Sequence, residues 1–492
     1  MNDNDNNNQA HDSMMQEQPD EQADTSPEFI TADDAVEVAV HDDTVPMEEE
    51  DDEDDKANNQ ENAMSDAAAA DSTATVDMAQ ATLTTHTGPV YAVQAFYHAQ
   101  QSQQQGLSIV SGGGDDKAMV HRITSSSSSS ESHTLAHQHT DSVSAVAWNL
   151  PYLLPPTTES NNNNNNSLPL LAVGAYDGAI CLYHAETLQP HLQFEGPTDV
   201  ECLAFHPKGG TVLLVGSAAD GTVWMYHITL NKCLQVFVGH EQAVTACGFS
   251  EDGKWALSAS ADGSLRVWAP RTGNCKHAFT NMNGTDQVSA GLTCMDVGGG
   301  ADQALVVVGA EDGKAHVCHV GTKKVVATLT HYEVPSNQQP NNDNDDAMEL
   351  PMSVEAVGFA KLANAVWCAT AGVDGVLKIW DLGSGSTAQC RQVCRHPSSA
   401  SDSNGGAPGI TRLQWHPTLP LVFVSTTEGS VMLWDARNGE LLITLTGHTN
   451  VINDLHIQYT DSTNYQKAII VTGSDDHTVK VFEVDLATVW KG

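Results

Sequence analysis

The sequence predicts an all-β protein built from about eight similar four-stranded antiparallel sheets. Leu234 to Trp268 contains four short strand patterns in a row. Asp252-Gly253 and Asp262-Gly263, between these patterns, supply the positive φ that tight hairpin turns need. The same pattern recurs along the chain, and one such sheet is too small to be stable alone. We therefore expect the copies to pack against one another.

A turn marker near the end of each unit defines the repeat. It is an acidic residue, usually followed by Gly, and an alternating strand comes after it. The eight markers are Asp116-Lys117, Asp177-Gly178, Asp220-Gly221, Asp262-Gly263, Asp312-Gly313, Asp374-Gly375, Glu428-Gly429 and Asp476-His477. The units average about 50 residues, slightly above the ~40–45 typical of this class of repeat. The excess lies in low-complexity segments predicted to be loops, at 125–130, 161–166, 336–346 and 398–409.

Charge divides the chain into two parts. The net charge is −42, and residues 1–80 hold 25 Asp or Glu against the single Lys56. Few side chains in residues 1–77 could offset the entropy of ordering, so we predict a disordered acidic low-complexity tail there and the repeat domain in residues 78–492. The tail either keeps the protein soluble or attracts a basic ligand. Excess carboxylates oppose direct nucleic-acid binding and favour a basic protein partner.

Cysteine usage and hydropathy favour a soluble cytoplasmic protein, with the nucleus as a second location. The ten cysteines are scattered and show no disulfide framework, as expected in a reducing compartment. No apolar run approaches the ~20 residues of a membrane span, and the acidic, Asn-rich start is unlike a leader peptide. We expect a monomer.

Short dipeptides punctuate the repeats at regular places. They include Gly239-His240, Gly447-His448, Trp380-Asp381 and Trp434-Asp435. This punctuation resembles the WD40 family, which implies a β-propeller of four-stranded blades, here eight. The resemblance also implies that an N-terminal strand closes the ring. Ala81 to Thr85 is suited to pair with the last blade and so to remove an exposed sheet edge.

The resemblance also implies a structural tetrad of His, Ser or Thr, Asp and Trp within a blade. One repeat has the full set, His240, Ser258, Asp262 and Trp268. The sixth unit has Thr370, Asp374 and Trp380 with His331 as the candidate fourth member, and the last has His448, Thr472 and Asp476 with Phe482 in place of Trp. The other units are expected to depend more on apolar packing.

Longer segments resemble one group within the family. They are GGGDDKAMVHRI at 112–123, DVECLAFHP at 199–207, SAADGTVWMYHI at 217–228, LWDARNGELL at 433–442 and SDDHTVKVF at 474–482. These segments are similar to angio-associated migratory cell protein and its fungal relatives. The similarity implies a scaffold protein. Animal members are linked to cell migration and angiogenesis, and fungal members are chaperones of one basic large-subunit ribosomal protein.

Acidic and aromatic residues occupy the positions that commonly meet ligands in WD40 propellers. Two of these positions flank the first apolar residue of each inner strand, and a third precedes the turn Asp. The eight units therefore have 24 such positions, and none of them is Lys or Arg. The candidate partner-binding residues are Tyr91, Asp115, Tyr176, Asp199, Glu201, Glu311, Glu355 and Asp475. The segment 336–350 should add Asp343, Asp345, Asp346 and Glu349. Carboxylates beside tyrosines suit an Arg-rich segment, although an acidic protein has acidic loops in any case.

Small residues are predicted to line the propeller axis. Two residues after the apolar residue that opens each inner strand, the sequence has Ala92, Ala145, Cys202, Ala246, Cys294, Ala356, Arg412 and Asn453. Six of these eight are Ala or Cys, as crowding near the axis requires.

No chemistry-bearing constellation stands out from the repeats. Cys390, Cys394 and His396 do not complete a four-ligand metal set. The sequence has no evident catalytic group and no phosphate-binding Gly-rich loop that opens a helix. We therefore predict a non-enzymatic scaffold without metal or cofactor.

A second functional motif is WDxR, formed by Trp434, Asp435 and Arg437. Some WD40 proteins use this pattern to dock to a ubiquitin-ligase adaptor. In the structural alternative, Trp434 closes a blade, Asp435 begins a turn and Arg437 is a solvated cation. The leading hypothesis is a chaperone or adaptor for a basic ribosomal protein of the large subunit. A signalling scaffold and a ligase substrate receptor are the alternatives.

Overall fold

The computed structural model describes residues 76–98, 106–124, 130–149, 169–208, 210–282, 290–298, 304–332, 352–363, 365–383, 388–397, 407–460 and 465–491. The predicted acidic tail lies outside the described residues except for Val76 and Asp77. The same is true of most of the predicted low-complexity loops, including the whole segment 336–350.

The described residues form eight four-stranded antiparallel sheets, or blades, as the sequence predicted. In chain order, a single strand β1 (Ala81–Leu83) is followed by the blades. Blade 1 contains β2 (Val90–His98), β3 (Gly106–Gly113), β4 (Ala118–Thr124) and β5 (Ser130–Thr134), and blade 2 contains β6 (Val143–Trp148), β7 (Leu170–Ala175), β8 (Ala179–His184) and β9 (Pro190–Glu195). Blade 3 contains β10 (Val200–Phe205), β11 (Val212–Ser217), β12 (Val223–His227) and β13 (Lys232–Phe237), and blade 4 contains β14 (Val244–Phe249), β15 (Ala256–Ser260), β16 (Leu265–Trp268) and β17 (Cys275–Phe279). Blade 5 contains β18 (Leu292–Val297), β19 (Leu305–Ala310), β20 (Lys314–His319) and β21 (Lys324–Thr330), and blade 6 contains β22 (Val354–Phe359), β23 (Trp367–Gly372), β24 (Val376–Asp381) and β25 (Gln389–Arg395). Blade 7 contains β26 (Ile410–Trp415), β27 (Leu421–Thr426), β28 (Val431–Asp435) and β29 (Glu440–Leu445), and blade 8 contains β30 (Ile452–Tyr459), β31 (Lys467–Ser474) and β32 (Val479–Asp485). A short helix, α1 (Leu486–Val489), follows.

The blades form a closed ring around a central axis. The first strand of each blade contacts the first strands of the two neighbouring blades, and β30 returns to β2. Blade 8 takes its fourth strand from the other end of the domain, because β1 pairs antiparallel with β32. Ala81 lies opposite Val481 and Leu83 opposite Val479. The predicted closure is therefore confirmed, with the pairing strand ending at Leu83 rather than Thr85. The added strand covers an edge of β32 that would otherwise be unpaired.

Adjacent blades interlock through a small residue in each second strand. An ideal Cβ added to Gly174 would lie 2.5 Å from Cγ1 of Val200, the residue that opens the next blade. The equivalent residues are Gly112, Gly174, Gly216, Ala259, Gly309, Ala371, Ser425 and Gly473. The apolar core therefore lies between the blades, with branched side chains seated directly on small residues.

Polar side chains of the first strands also join neighbouring blades. Each accepts a hydrogen bond from a backbone N–H of the next first strand. The pairs are Gln94 with Trp148 at 2.6 Å, Asp296 with Phe359 at 2.7 Å, Gln414 with Ile457 at 2.9 Å and Asp454 with Val93 at 2.8 Å. These bonds satisfy backbone groups on an edge that no other strand pairs.

Every first strand carries the same β-bulge after its opening residue. In each blade, one extra residue lies between the first two register pairs, as between Val90 and Ala92. The extra residues are Tyr91, Ser144, Glu201, Thr245, Thr293, Glu355, Thr411 and Asn453. Bulges of this kind re-aim side chains at sheet ends. The sequence therefore repeats one local distortion eight times at the same end of the ring.

The bulge corrects one predicted register. In blade 8 the opening residue is Ile452, so Asp454 rather than Asn453 takes the axial position two residues further on. Val451 and Ile452 are both apolar, and the sequence pattern alone does not choose between them. The axial series therefore ends with two charged residues, Arg412 and Asp454, instead of a cation and an amide.

Candidate functional site

We define the top face as the end of the ring that carries the bulge residues, the residues that precede each first strand and the turns between second and third strands. These groups share one end because the first two strands of each blade are antiparallel. Seven of the eight predicted partner-binding residues are bulge residues or lie immediately before a first strand or a turn Asp: Tyr91, Tyr176, Asp199, Glu201, Glu311, Glu355 and Asp475.

An acidic and aromatic cluster spans blades 1 to 3 on this face. The Tyr176 hydroxyl donates to Glu201 Oε2 at 3.0 Å. Burial raises the pKa of Tyr176, and the neighbouring Glu201, Asp199 and Tyr91 raise it further. Tyr91 is 38% exposed. The structure therefore brings four of the predicted residues together as two carboxylates beside two phenol rings.

Glu201 is the half-buried centre of this cluster. Burial raises the pKa of Glu201, while the Tyr176 hydrogen bond and the charge of Arg412 lower it, and Asp199 raises it. Removal of a carboxylate from water favours its neutral form unless a cation compensates. A cationic ligand at this site would therefore stabilise the ionised form of Glu201.

The opposite part of the top face combines acids with exposed apolar side chains. Glu355, the bulge residue of blade 6, accepts a hydrogen bond from the Ser353 hydroxyl. Glu311 is exposed and precedes the turn of blade 5. Met352 is 36% exposed and Val373 39% exposed, and the Val373 N–H donates to the Ser353 carbonyl. This region presents both charge and apolar surface to a partner.

A cavity of about 640 Å³ opens along the axis beneath the top face. Its lining includes Glu201, Asp296, Glu355 and Arg412. Arg412 Nε lies 3.6 Å from Asp454 Oδ1. Burial raises the pKa of Asp454 and that of Asp296 despite their hydrogen bonds and nearby cations. Sequence reasoning missed this ion pair because the register of blade 8 was displaced by one residue.

Asp115 has a different place from the one expected. It is the turn Asp of blade 1, because its carboxylate lies 2.8 Å from His86 Nδ1 and accepts the Thr87 N–H at 3.0 Å. Its side chain is only 5% exposed. Asp116, with φ of 60°, occupies the position that Gly takes in most other turns. The marker predicted at Asp116 is therefore displaced by one residue, and Asp115 is engaged within the blade.

The predicted tetrad forms a continuous hydrogen-bond chain in blade 4. Trp268 Nε1–H donates to Ser258 Oγ at 2.8 Å, and Ser258 Oγ lies 2.7 Å from His240 Nε2. His240 Nδ1 lies 2.9 Å from Asp262 Oδ2. Burial raises the pKa of Asp262, but the hydrogen bonds from His240 and Ser264 lower it overall. The chain joins the third strand, the second strand and the turn of one blade.

Three other blades contain related networks. In blade 6, His331 Nδ1 lies 2.7 Å from Thr370 Oγ1, and Trp380 donates to the same hydroxyl at 2.8 Å. In blade 8, His448 lies 2.7 Å from the Thr472 hydroxyl. In blade 1, His86 lies 2.8 Å from the Ser111 hydroxyl, a network that the displaced marker concealed. The structure thus pairs the candidate His331 with the hydroxyl of its own blade.

Asp435 and Arg437 of the WDxR motif contact the C-terminal segment, whereas Trp434 packs in the apolar core between blades 6 and 7. Trp434 and Asp435 are 5% and 2% exposed. Arg437 Nη2 donates to Asp435 Oδ2 at 2.7 Å, and the same oxygen accepts Trp490 Nε1–H at 2.8 Å. The Arg437 guanidinium also lies 4.8 Å from the centre of the Trp490 ring. An adaptor that needs this guanidinium would compete with both of these contacts.

The candidate metal set from the sequence is not assembled. Among the described residues, the metal-compatible cluster of His and Cys donors lies in another blade and includes none of Cys390, Cys394 and His396. His396 instead lies 3.8 Å from Glu428. The described part of the chain contains no helix with the length and apolar character to traverse a bilayer.

The repeats match a known family. Residues 188–227, 231–269 and 439–483 match the WD domain, G-beta repeat. The chain therefore contains WD40 repeats, and its described residues form an eight-bladed propeller. It is 32% identical over 313 residues to angio-associated migratory cell protein of Homo sapiens and, over the same length, to that of Canis lupus familiaris. These matches cover 64% of this chain and 64% of each relative.

Solved structures of Sqt1 have the same fold. The crystal structure of Saccharomyces cerevisiae Sqt1 matches with a TM-score of 0.64 and 19% identity, and covers 83% of this chain and 99% of that chain. Chaetomium thermophilum Sqt1 bound to the N-terminus of the ribosomal protein L10 matches with a TM-score of 0.61 and 19% identity. That match covers 83% of this chain and all of the other.

Proposed function

We propose that this protein is a chaperone or adaptor that holds a basic segment of a large-subunit ribosomal protein on its top face. The observation that carries the proposal is the cluster of Tyr91, Tyr176, Asp199 and Glu201, in which carboxylates lie beside phenol rings. The fold shared with Sqt1 bound to the N-terminus of ribosomal protein L10 supports the class of partner.

The cluster suits Arg and Lys for two physical reasons. A carboxylate that accepts a guanidinium makes charge-assisted hydrogen bonds, which are about twice as strong as neutral ones. The adjacent rings of Tyr91 and Tyr176 add cation–π attraction of about 0.5–2 kcal/mol per contact. A cation also restores the ionised state that burial disfavours at Glu201. The exposed Met352 and Val373 give the apolar part of a segment a place to lie on blade 6.

The proposal carries further consequences for the whole protein. The net charge of −42 steers basic proteins towards the propeller and repels nucleic acid. Because newly made ribosomal proteins pass from the cytoplasm to the nucleus, we place the protein in the cytoplasm with nuclear access. We propose that it acts as a monomer and is not an enzyme.

Affinity purification from the protein's own cells tests the proposal. The test variant is Glu201→Lys with Glu355→Lys. The control is Glu131→Lys with Glu440→Lys, which changes the net charge equally on exposed positions of the outer strands β5 and β29. We expect mass spectrometry to find one basic ribosomal protein with the wild type and the control, but not with the test variant. Equal recovery by all three would contradict the proposed site.

Similarity to angio-associated migratory cell protein favours a second candidate, a signalling scaffold of that type. In the same experiment, a signalling scaffold should recover signalling components equally well with the wild type and with the Glu201→Lys, Glu355→Lys variant. A ligase substrate receptor is the third candidate. It predicts a co-purified ligase adaptor that is lost with Arg437→Ala, whereas the intramolecular contacts of Arg437 predict no such loss.

A further inference from the structure

Blade 2 departs from the hydrogen-bond networks of blades 1, 4, 6 and 8. Its His139 lies 3.2 Å from Asp177 through Nδ1, as a propeller His normally lies against its turn Asp. The hydroxyl position, however, is filled by Val173, which corresponds in register to Ser258. His139 is 6% exposed, and its Nε2 has no hydrogen-bond partner. A buried, unpaired ring nitrogen is costly unless another group satisfies it.

Two further residues with metal-compatible donor atoms lie close to His139. His137 precedes β6, and Cys181 lies on β8 and is 3% exposed. One donor atom from each of His137, His139 and Cys181 lies within 4.8 Å of the others. The two imidazole rings meet edge to face, with their centres 4.6 Å apart. The fold therefore brings together two nitrogens and a sulfur where other blades have a hydroxyl.

Neighbouring side chains hold these donors in place. Asp177 accepts from His139 Nδ1, which leaves Nε2 as the lone-pair nitrogen that a metal needs. Tyr183 accepts the His137 N–H at 3.2 Å and lies two residues after Cys181, on the same face of β8. Carboxylates and hydroxyls in this role orient ligands and strengthen metal binding. The arrangement thus contains both donors and the groups that position them.

We propose that His137, His139 and Cys181 form a zinc site that pins the loop before β6 to β8. Two imidazoles and one thiolate suit Zn²⁺, with a water molecule as the fourth ligand on the partly exposed His137 side. Zinc bonds of about 2.0–2.3 Å require the donor atoms, which lie within 4.8 Å of one another, to approach to roughly 3.3–3.8 Å. Binding replaces water ligands of the hydrated Zn²⁺ ion with one Zn–S bond and two Zn–N bonds, and the displaced waters and the thiol proton go to solvent.

Cobalt substitution tests the site in the full-length protein. Chelator-treated protein is titrated with Co²⁺, whose visible bands report tetrahedral geometry and whose near-ultraviolet band reports a cobalt–thiolate bond. We expect saturation at one equivalent, displacement by Zn²⁺, and loss of the thiolate band with Cys181→Ser. The control, Cys275→Ser with His277→Ala, removes the same residue types from the outer strand β17 and should keep the band.

A second variant separates ligand loss from misfolding. His137 is the more exposed histidine, so His137→Ala leaves the contact between His139 and Asp177 intact. We expect it to weaken Co²⁺ binding at least tenfold while the metal-free melting temperature stays that of the wild type. Zn²⁺ should raise the melting temperature of the wild type and the control only. A folded wild type without a thiolate band, or a band that survives Cys181→Ser, would overturn the proposal.

Discussion

Substitution of Ser258 by Ala tests whether the tetrad stabilises its blade. The serine hydroxyl is fully buried and is the only partner shown for two buried ring nitrogens in the described structure, His240 Nε2 at 2.7 Å and Trp268 Nε1 at 2.8 Å. Each buried polar atom that loses its partner costs about 1–3 kcal/mol. Because small shifts of both rings recover part of this loss, we expect the free energy of unfolding to fall by about 2–4 kcal/mol.

Urea unfolding followed by tryptophan fluorescence measures this change. The control Ser130→Ala removes a hydroxyl from an exposed strand end and should change the free energy by less than about 0.5 kcal/mol. In a Trp268→Phe background one of the two partners is already gone, so Ser258→Ala should cost about 1–2 kcal/mol less. A loss no larger than the control, or full additivity of the two substitutions, would refute the hydrogen-bond chain as the source of stability.

Three further predictions concern packing and charge. Gly174→Ala places a Cβ 2.5 Å from Val200 Cγ1 and should destabilise the ring by about 1–3 kcal/mol, whereas Gly248→Ala meets its nearest atom at 3.6 Å and should cost less than 1 kcal/mol in the same urea assay. Asp296→Asn should raise the melting temperature at neutral pH, because burial raises the pKa of the Asp296 carboxyl and its ionisation therefore destabilises the folded state. This increase in melting temperature should shrink as pH falls towards 4, because the Asp296 carboxyl of the folded wild type then becomes protonated. Because the pKa of Asp262 is lowered in the folded state, the wild type should have a higher melting temperature than Asp262→Asn above about pH 4. This difference in melting temperature should disappear as pH falls further, and a difference that does not change with pH would contradict this reasoning.

Local sequence chemistry accounts for what could be predicted of the fold. Hairpin turns depend on a few residues, so Asp-Gly pairs such as Asp262-Gly263 located the blades without tertiary information. The eight blades followed from that pattern, and the closing strand followed from the resemblance to the WD40 family. Asp116 shows the limit of this approach, because two adjacent aspartates compete for one turn position and only the contact with His86 selects Asp115.

Contacts between distant segments account for what could not be predicted. The bulge that selects Ile452 over Val451 depends on pairing with the second strand. The proximity of His139 to Cys181 depends on the approach of a loop and a third strand that lie about 40 residues apart, and no regular ligand spacing announces it. The acidic positions of the top face were predicted from the family pattern, but the bond between Tyr176 and Glu201 needed the relative placement of two blades.

Direct peptide binding tests the proposed capture of a basic segment. The probe is a fluorescent peptide with the sequence of the N-terminus of ribosomal protein L10, and anisotropy is measured at low and at physiological salt. We predict that Glu201→Lys with Glu355→Lys weakens binding at least tenfold, or about 1.4 kcal/mol, relative to Glu131→Lys with Glu440→Lys. We also predict that salt weakens binding to the wild type. Equal affinity of the two variants at low salt would contradict the assignment of the top face as the binding site.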